Sequence, residues 1–250
     1  MKLAIAGAGG RMGRALIDAA SADAELEVVV AHDVADVGQS VGKLKITSEN
    51  KSLASADVVI DFTRPSATLE HLSHARAMVI GTTGFSDAEK AKIVDAAKRM
   101  PIAMAANFAV GVNAVYKLAE TAAKILGDAY DVEIIEAHHN KKVDAPSGTA
   151  LKLGDVVAKA LNRKLSDVGR HGRHGEPGAR PAKEIGFHAI RGGDIVGEHT
   201  VLFAGAGERV EVTVRSQSRL TYASGALRAA KWLKGKPAGL YDMSDVLGLK

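Results

Sequence analysis

Lys2-Leu3-Ala4-Ile5-Ala6-Gly7-Ala8-Gly9-Gly10-Arg11-Met12-Gly13 opens the chain behind Met1. Residues 3–6 form a short apolar run of the kind a buried strand shows, and helical spacing follows over residues 11–20. The turn between them is rich in glycine. Glycines allow a tight turn and let backbone amides approach a pyrophosphate, which the positive end of the next helix attracts. The spacing departs from G-x-G-x-x-G, because Met12 stands where the third glycine belongs and Gly13 comes one residue later.

Further along, the same alternation repeats. Residues 26–31, 57–60, 78–80 and 102–106 read as strands. Residues 67–77, behind Pro65, and a stretch from the Ser86–Glu89 capping box to about Met100 read as helices. Alternating strands and helices predict a Rossmann-type parallel sheet. In such a sheet the carboxyl ends of the strands share one edge, where ligands bind. Gly7, Asp33, Phe62-Thr63-Arg64, Gly81-Thr82-Thr83-Gly84 and Asn107-Phe108 stand at those ends. Asp33 follows the second strand, where a carboxylate can accept hydrogen bonds from a ribose. The expectation is a dinucleotide site.

After Asn107 the pattern changes. A long amphipathic helix spans 110–126 and ends on Gly127, a strand covers 131–137, and a helix covers 149–161. The polar stretch 162–183, with Arg170, Arg173 and Arg180, reads as a mobile loop. Residues 185–191, 194–203 and 209–216 alternate like antiparallel strands with one exposed face, and 222–234 is helical. The fold class is therefore α/β: a Rossmann-type domain plus an α+β domain with a mixed, largely antiparallel sheet.

Composition excludes several functions. With 46% hydrophobic and 25% charged residues the chain is ordinary globular protein. It has no cysteine, which removes disulfides, thiolate nucleophiles and cysteine-bound metals. The net charge of +4 is scattered, which suits a solvated surface and acidic ligands better than nucleic acid. No apolar run approaches the roughly 20 residues of a membrane span, and no signal-peptide pattern precedes the first strand, so a cytoplasmic enzyme is expected.

The densest chemistry lies in Glu136-Ala137-His138-His139-Asn140-Lys141-Lys142-Val143-Asp144-Ala145-Pro146-Ser147-Gly148-Thr149-Ala150. Adjacent histidines leaving a strand point to opposite faces and so take different roles. A histidine can exchange a proton near neutral pH, and a lysine can fix a carboxylate or donate a proton. Ser147-Gly148-Thr149 begins a helix whose amides suit an anion. A small acidic substrate with two carboxylates and a proton-coupled step fits this stretch. An exposed loop before a capped helix also fits it. A metal on Glu136, His138 and His139 lacks a well-spaced third ligand, and His171 and His174 read as solvated loop residues.

Residues 136–150 resemble the signature of the 4-hydroxy-tetrahydrodipicolinate (dihydrodipicolinate) reductase family of lysine and diaminopimelate biosynthesis. Gly7 to Met12, Asp61-Phe62-Thr63-Arg64-Pro65, Gly81-Thr82-Thr83-Gly84-Phe85, Ala106-Asn107-Phe108 and Asp194-Ile195-Val196-Gly197-Glu198-His199 match in the same order. The resemblance implies a cofactor domain over residues 1–107, completed by 220–250, and a substrate domain over 108–219 whose sheets join a homotetramer. It implies reduction of 4-hydroxy-tetrahydrodipicolinate to tetrahydrodipicolinate by NADH or NADPH with loss of water. His138 matches the acid/base histidine and Lys142 the proton-donating lysine. His139, Gly148 and Thr149 match substrate-binding positions. Gly7, Ala8, Gly9, Gly10, Arg11, Met12, Asp33, Gly81, Thr82 and Thr83 match cofactor-binding positions. Ala105, Ala106, Asn107 and Phe108 match the stretch lining the nicotinamide at the hinge, and Arg219 matches a cofactor-side arginine.

One position departs from the family pattern. Many members carry arginine after the acidic ribose residue, where this chain has Val34. An arginine there clamps a 2′-phosphate, and an aspartate alone repels it. NADH is therefore expected to serve at least as well as NADPH, with Arg11 and Lys43 as the residues able to compensate. The rival readings are a catalytically silent dinucleotide sensor, which has no need of the His138/Lys142 set, and another oxidoreductase, which has no need of residues 136–150.

Overall fold

Leu3 and Ile5 point to one side of the first strand and Ala4 and Ala6 to the other, and all four are fully buried. Both faces of the sheet they belong to are therefore covered, as a parallel sheet requires. The computed structural model describes residues 1–250, which form two compact units, Met1–Val110 with Arg219–Lys250, and Gly111–Ser218.

The first unit runs β1 (Lys2–Ala6), α1 (Arg11–Ser21), β2 (Glu27–His32), β3 (Ser40–Val41), β4 (Leu44–Thr47), β5 (Val58–Asp61), α2 (Pro65–His71), β6 (Met78–Ile80), α3 (Asp87–Ala96) and β7 (Pro101–Met104). Its sheet has the order β13-β7-β6-β5-β1-β2-β4-β3, where β13 is Gly239–Tyr241 near the C-terminus. Every neighbouring pair is parallel except β3 with β4. From β1 the chain builds outward first through β2 and then, on the other side, through β5. That reversal opens a crevice at the carboxyl ends of β1 and β5. The capping box forms as read, Ser86 Oγ accepting from the Glu89 amide and Glu89 from the Ser86 amide. Helix α2 is shorter than the expected 67–77. It starts at Pro65, and beyond His71 the chain tightens into i→i−3 bonds such as His74 N to His71 O (2.9 Å) before turning back into β6.

The second unit contains α4 (Val110–Leu126, whose first residue belongs to the first unit), β8 (Asp131–His138), α5 (Gly148–Ala160), α6 (Leu165–Val168), β9 (Gly169–His171), β10 (Ile185–Arg191), β11 (Gly197–Ala204) and β12 (Arg209–Ser216). Its sheet is mixed, with the order β12-β11-β8-β10-β9. The β11 strand is antiparallel to β8 and β12, as alternation suggested. The β10 strand is instead parallel to β8. A crossover through α5 returns the chain to the starting end of β8, so only a parallel partner can follow. Val132 and Ile134 project from one face of β8 into a core with Val115, Ala119, Leu153 and Val157 of α4 and α5. Helices α7 (Leu220–Leu233) and α8 (Met243–Leu247) return to the first unit, where α7 buries Ala226, Ala229, Ala230 and Leu233 in the core shared with α1.

The stretch 162–183 is tied down rather than loose. It forms α6 and β9, and its arginines reach back to Glu133 on β8. Arg173 donates to Glu133 Oε1 at 2.6 Å, Arg180 Nε to the same oxygen at 2.9 Å, and His188 on β10 bonds Oε2 at 2.7 Å. Arg180 also donates to the Val132 and Glu184 carbonyls. His171, although exposed, stacks on Phe187 with ring centroids 5.1 Å apart.

Candidate active site

In the first unit the turn after β1 is held from inside. Gly7 and Ala8 amides both donate to the His32 carbonyl (2.9 and 3.0 Å), Gly10 N to Gly7 O (3.1 Å), and Gly9 N to Asp33 Oδ2 (3.0 Å). These four amides are occupied, so what the turn offers an anion is the start of α1. Its N-cap, Gly10, contributes no side-chain bond and its first turn holds no acidic residue. The amides of Arg11 and Met12, in the first turn of α1, are among those a helix start leaves without an intrahelical acceptor. Asp33 lies beside Gly9 and also receives the Ala35 amide at 3.1 Å. Val34 is 68% exposed and carries no charge.

Beneath the same edge lies a buried polar cluster around Asp61, the last residue of β5. Asp61 Oδ1 accepts from the Thr63 hydroxyl (2.7 Å), the Thr82 hydroxyl (2.9 Å) and the Thr68 hydroxyl (3.0 Å), and Oδ2 faces His71 Nδ1 at 2.6 Å. Thr82 Oγ1 further accepts from the Thr63 amide at 2.9 Å. One carboxylate thus ties the loops after β5 and β6 together through Thr63 and Thr82, and the Asp61 carbonyl takes the Gly81 amide at 2.8 Å. Thr82 is buried and Thr83 exposed. Ala105 N bonds Ile80 O, and Asn107 Oδ1 receives the Ala109 amide at 2.9 Å. Ala106 is exposed, whereas the Phe108 ring is buried against Phe62, so Phe108 can face a ligand only through its backbone.

In the second unit, Glu136 and His138 stand two residues apart on β8 and so share a face. That face is apolar at Val132 and Ile134 and polar where the strand ends. The register sets His199 of β11 opposite Glu136 and Arg191 of β10 opposite His138. Glu136 Oε2 lies 2.5 Å from His138 Nδ1. Arg191 grips the other edges of the carboxylate at 2.8 and 2.7 Å, and the Ser147 amide donates to Oε1 at 3.1 Å. Ser147 caps α5 through the Ala150 amide, placing Gly148 and Thr149 in the first turn. Lys142 Nζ pairs with Asp144 at 2.8 Å, and Arg191 also donates to the Asp144 carbonyl at 2.7 Å. His139 follows with its Nδ1 buried and unbonded.

The electrostatics follow from burial and partners. For Glu136, burial favours the neutral acid, but hydrogen bonds from Arg191 and His138 outweigh it and hold the carboxyl below its ordinary range. Burial lowers His138, and the adjacent carboxylate only partly offsets this. His199, whose ring meets that of His138 edge-on at 5.1 Å, is pushed down to about 4 by burial and by His138. An ionised Glu136 can only accept, so neutral His138 carries its proton on Nδ1 and leaves Nε2 as the exchanging nitrogen. No group of three histidines and carboxylates gathers in metal-holding geometry, and no helix is long and apolar enough to cross a membrane.

Comparison with known proteins decides between the rival readings. Residues 1–108 match the family description "Dihydrodipicolinate reductase, N-terminus" and residues 111–247 its C-terminus counterpart. The chain belongs to the dihydrodipicolinate reductase family. It is 56% identical to 4-hydroxy-tetrahydrodipicolinate reductase of Aromatoleum aromaticum over all of this chain and 96% of that one. It is 54% identical to the Cupriavidus metallidurans enzyme of the same name, over the whole of both. Among solved structures, the dipicolinate-bound dihydrodipicolinate reductase of Paenisporosarcina sp. TG-14 superposes with a TM-score of 0.78 at 26% identity, covering 97% of each chain. Dihydrodipicolinate reductases are NAD(P)H-dependent oxidoreductases of lysine and diaminopimelate biosynthesis, and this chain shares that function.

Glu136, Arg191 and His199 surround His138. Glu136 and His199 stand in stretches singled out in the sequence, Glu136 in 136–150 and as a candidate metal ligand, His199 at the end of 194–199, but neither had a role assigned. The signal for Glu136 was its two-residue spacing from His138. Arg191 carries no local signal, because the parallel β8–β10 register alone brings it to His138.

Proposed function

We propose that this chain reduces 4-hydroxy-tetrahydrodipicolinate to tetrahydrodipicolinate and water, with His138 as acid/base and Lys142 as proton donor. The observation that carries this reading is a histidine held by a buried carboxylate that also accepts the Ser147 amide at the start of α5, a helix start suited to an anion. The reading assigns the substrate's carboxylates to Gly148, Thr149 and His139. It takes support from the dipicolinate in the Paenisporosarcina relative, a flat dicarboxylate. A bound reduced nicotinamide supplies the hydride for the ring carbon that loses its hydroxyl. Protonation of that hydroxyl lets it leave as water; the ammonium of Lys142 supplies the proton, as does His138 when it is protonated at Nε2, while the Nδ1–H bond to Glu136 keeps the ring in place.

The cofactor's pyrophosphate is assigned to the Arg11 and Met12 amides, its ribose to Asp33, and its nicotinamide side to Gly81–Thr83 and Ala105–Phe108. With Asp33 followed by Val34, NADH serves at least as well as NADPH. The reading extends to residues 1–107 with 220–250 as cofactor domain, 108–219 as substrate domain, and a homotetramer. Ile135, Ile190 and Leu202 on the sheet face turned away from α4 and α5 support that assembly.

Oxidation of NADH and NADPH with freshly generated substrate tests the activity. The His138→Gln variant is expected to lose most of kcat while still binding dinucleotide. Absence of turnover with either cofactor overturns the reading, and wild-type turnover by the variant overturns the role of His138.

A further inference from the structure

The Glu136 carboxylate makes more contacts than a spacer on a strand needs. It is 1% exposed, and both oxygens are engaged by three different segments: His138 on its own strand, Arg191 on β10, and the Ser147 amide at the start of α5. A buried carboxylate costs several kcal/mol unless its partners are well placed. An apolar residue at this end of the strand would simply continue the Val132–Ile134 face. The arrangement is therefore expensive for stability alone, and its contacts converge on the groups assigned to chemistry.

We propose that Glu136, clamped by Arg191, is a positioning residue: it fixes the tautomer and ring orientation of His138 and locks that ring to the substrate-binding helix start. The inference rests on the reading of His138 as acid/base. With Nδ1–H donated to Glu136, rotation of the imidazole about its Cβ–Cγ bond breaks a short, charge-assisted bond. Arg191 removes the carboxylate's own freedom by a two-point grip and, through the Asp144 carbonyl, spans to the segment that carries Lys142. The Ser147 amide couples the same carboxylate to Gly148 and Thr149. One anion thus keeps the proton-exchanging nitrogen and the anion-binding turn in a constant relation, without touching substrate itself. The charged and titratable groups around His138 are Glu136 on β8, Arg191 on β10, His199 on β11 and Lys142 on the loop that follows.

The test compares full-length wild type with Glu136→Gln, Glu136→Asp, Arg191→Met and His138→Gln. It measures kcat, KM, NADH Kd, and the pH profile of kcat/KM. Histidine ¹⁵N shifts are recorded as well, with the His138 signal assigned by its absence in His138→Gln. Loss of an orienting acid from a histidine pair costs roughly 10²- to 10⁴-fold in kcat elsewhere. For Glu136→Gln we expect a fall of at least about 100-fold in kcat with NADH Kd within about twofold of wild type. The limb that reports His138 should move to lower pH, since an anion that favours the imidazolium is gone. The ¹⁵N spectrum should change from an Nδ1–H form to a tautomer mixture. Glu136→Asp should keep the position of the limb while losing part of kcat. Should Glu136→Gln fold poorly, Arg191→Met, which keeps the carboxylate but frees it, should give the same tautomer mixing with a smaller loss. Unchanged kcat and tautomer in a folded Glu136→Gln or Arg191→Met protein, alongside an inactive His138→Gln, overturns the positioning role and leaves the acid/base reading intact. An active His138→Gln overturns the latter.

Discussion

Gly13 closes directly onto Gly7: a Cβ on Gly13 would stand 2.1 Å from the Gly7 carbonyl oxygen and 2.6 Å from the Ala8 Cα. The third glycine of a dinucleotide turn permits close packing of helix on strand. Here Gly13 does so, one residue later than the usual spacing. Gly7 itself has φ of +84° and no room for a side chain beneath the Phe62 carbonyl. Gly13→Ala must therefore push α1 off β1, moving the Arg11 and Met12 amides. We expect an NADH Kd at least about tenfold weaker and a destabilisation of about 2 kcal/mol or more, in the range of overpacked buried sites. Isothermal titration and thermal melts measure both, and a variant with wild-type Kd contradicts the packing argument.

The cofactor choice proposed above rests on the residue after Asp33. Val34 is exposed at the edge of the crevice and has nothing charged to offer a 2′-phosphate. Val34→Arg is expected to raise kcat/KM with NADPH by about tenfold or more while changing that with NADH little, as one charge-assisted pair is worth roughly 1.5–3 kcal/mol. Wild-type catalytic efficiencies that strongly favour NADPH would overturn the expectation that NADH serves at least as well.

Much of this architecture could be read from local pattern. The strand ends, the Ser86–Glu89 box and α4 follow from periodicity and capping, which act over a few residues. The direction of β10 could not be read this way, because alternation at residues 185–191 reports one covered face and is silent about the neighbour's direction. The tethering of 162–183 was hidden for a related reason. Arg173 and Arg180 look solvated until Glu133, some 40 residues earlier and on another element, is seen to receive them. Residues 136–150 were legible because they are contiguous, and His199 stood out only as the end of the 194–199 stretch; its place opposite Glu136, like Arg191 opposite His138, comes from sheet register and could not be read.

Asp61 gives a second buried carboxylate to test. It is fully buried and receives three threonine hydroxyls and His71. Asp61→Ala removes the acceptor on which these four groups converge, at about 3–5 kcal/mol by analogy with broken buried pairs. Asp61→Asn keeps an acceptor for the hydroxyls and should cost less. Thr63 and Thr82 lie at the strand edge proposed for the cofactor, so both variants should weaken NADH binding while leaving the His138–Glu136 pair of the second unit unaltered. Denaturant midpoints and NADH titration distinguish this from a purely structural post, which would lower stability without weakening binding.

His199 and Glu133 each add an acid-sensitive window to the stability of the chain. His199 is buried with its pKa pushed down to about 4 against an ordinary 6.5. Above 6.5 it is neutral in both folded and unfolded chains and adds no pH dependence. As pH falls from 6.5 towards 4 only the unfolded chain takes up the proton, so stability is lost, on the order of 3 kcal/mol in total. Glu133 is held down to about 2 because hydrogen bonds from Arg173, Arg180 and His188 overcome its burial. Its contribution is complete above the unfolded value near 4.5 and disappears as pH drops from there towards 2, again on the order of 3 kcal/mol. His199→Phe, which keeps a ring edge-on to His138, should shrink the upper window and leave the lower one. Glu133→Gln should flatten the lower window and also speed proteolysis within 162–183, where Arg173 and Arg180 lose their anchor. Denaturant midpoints recorded between pH 3 and pH 8, with trypsin digestion at neutral pH, read both; equal flattening of both windows by one variant would contradict the separation.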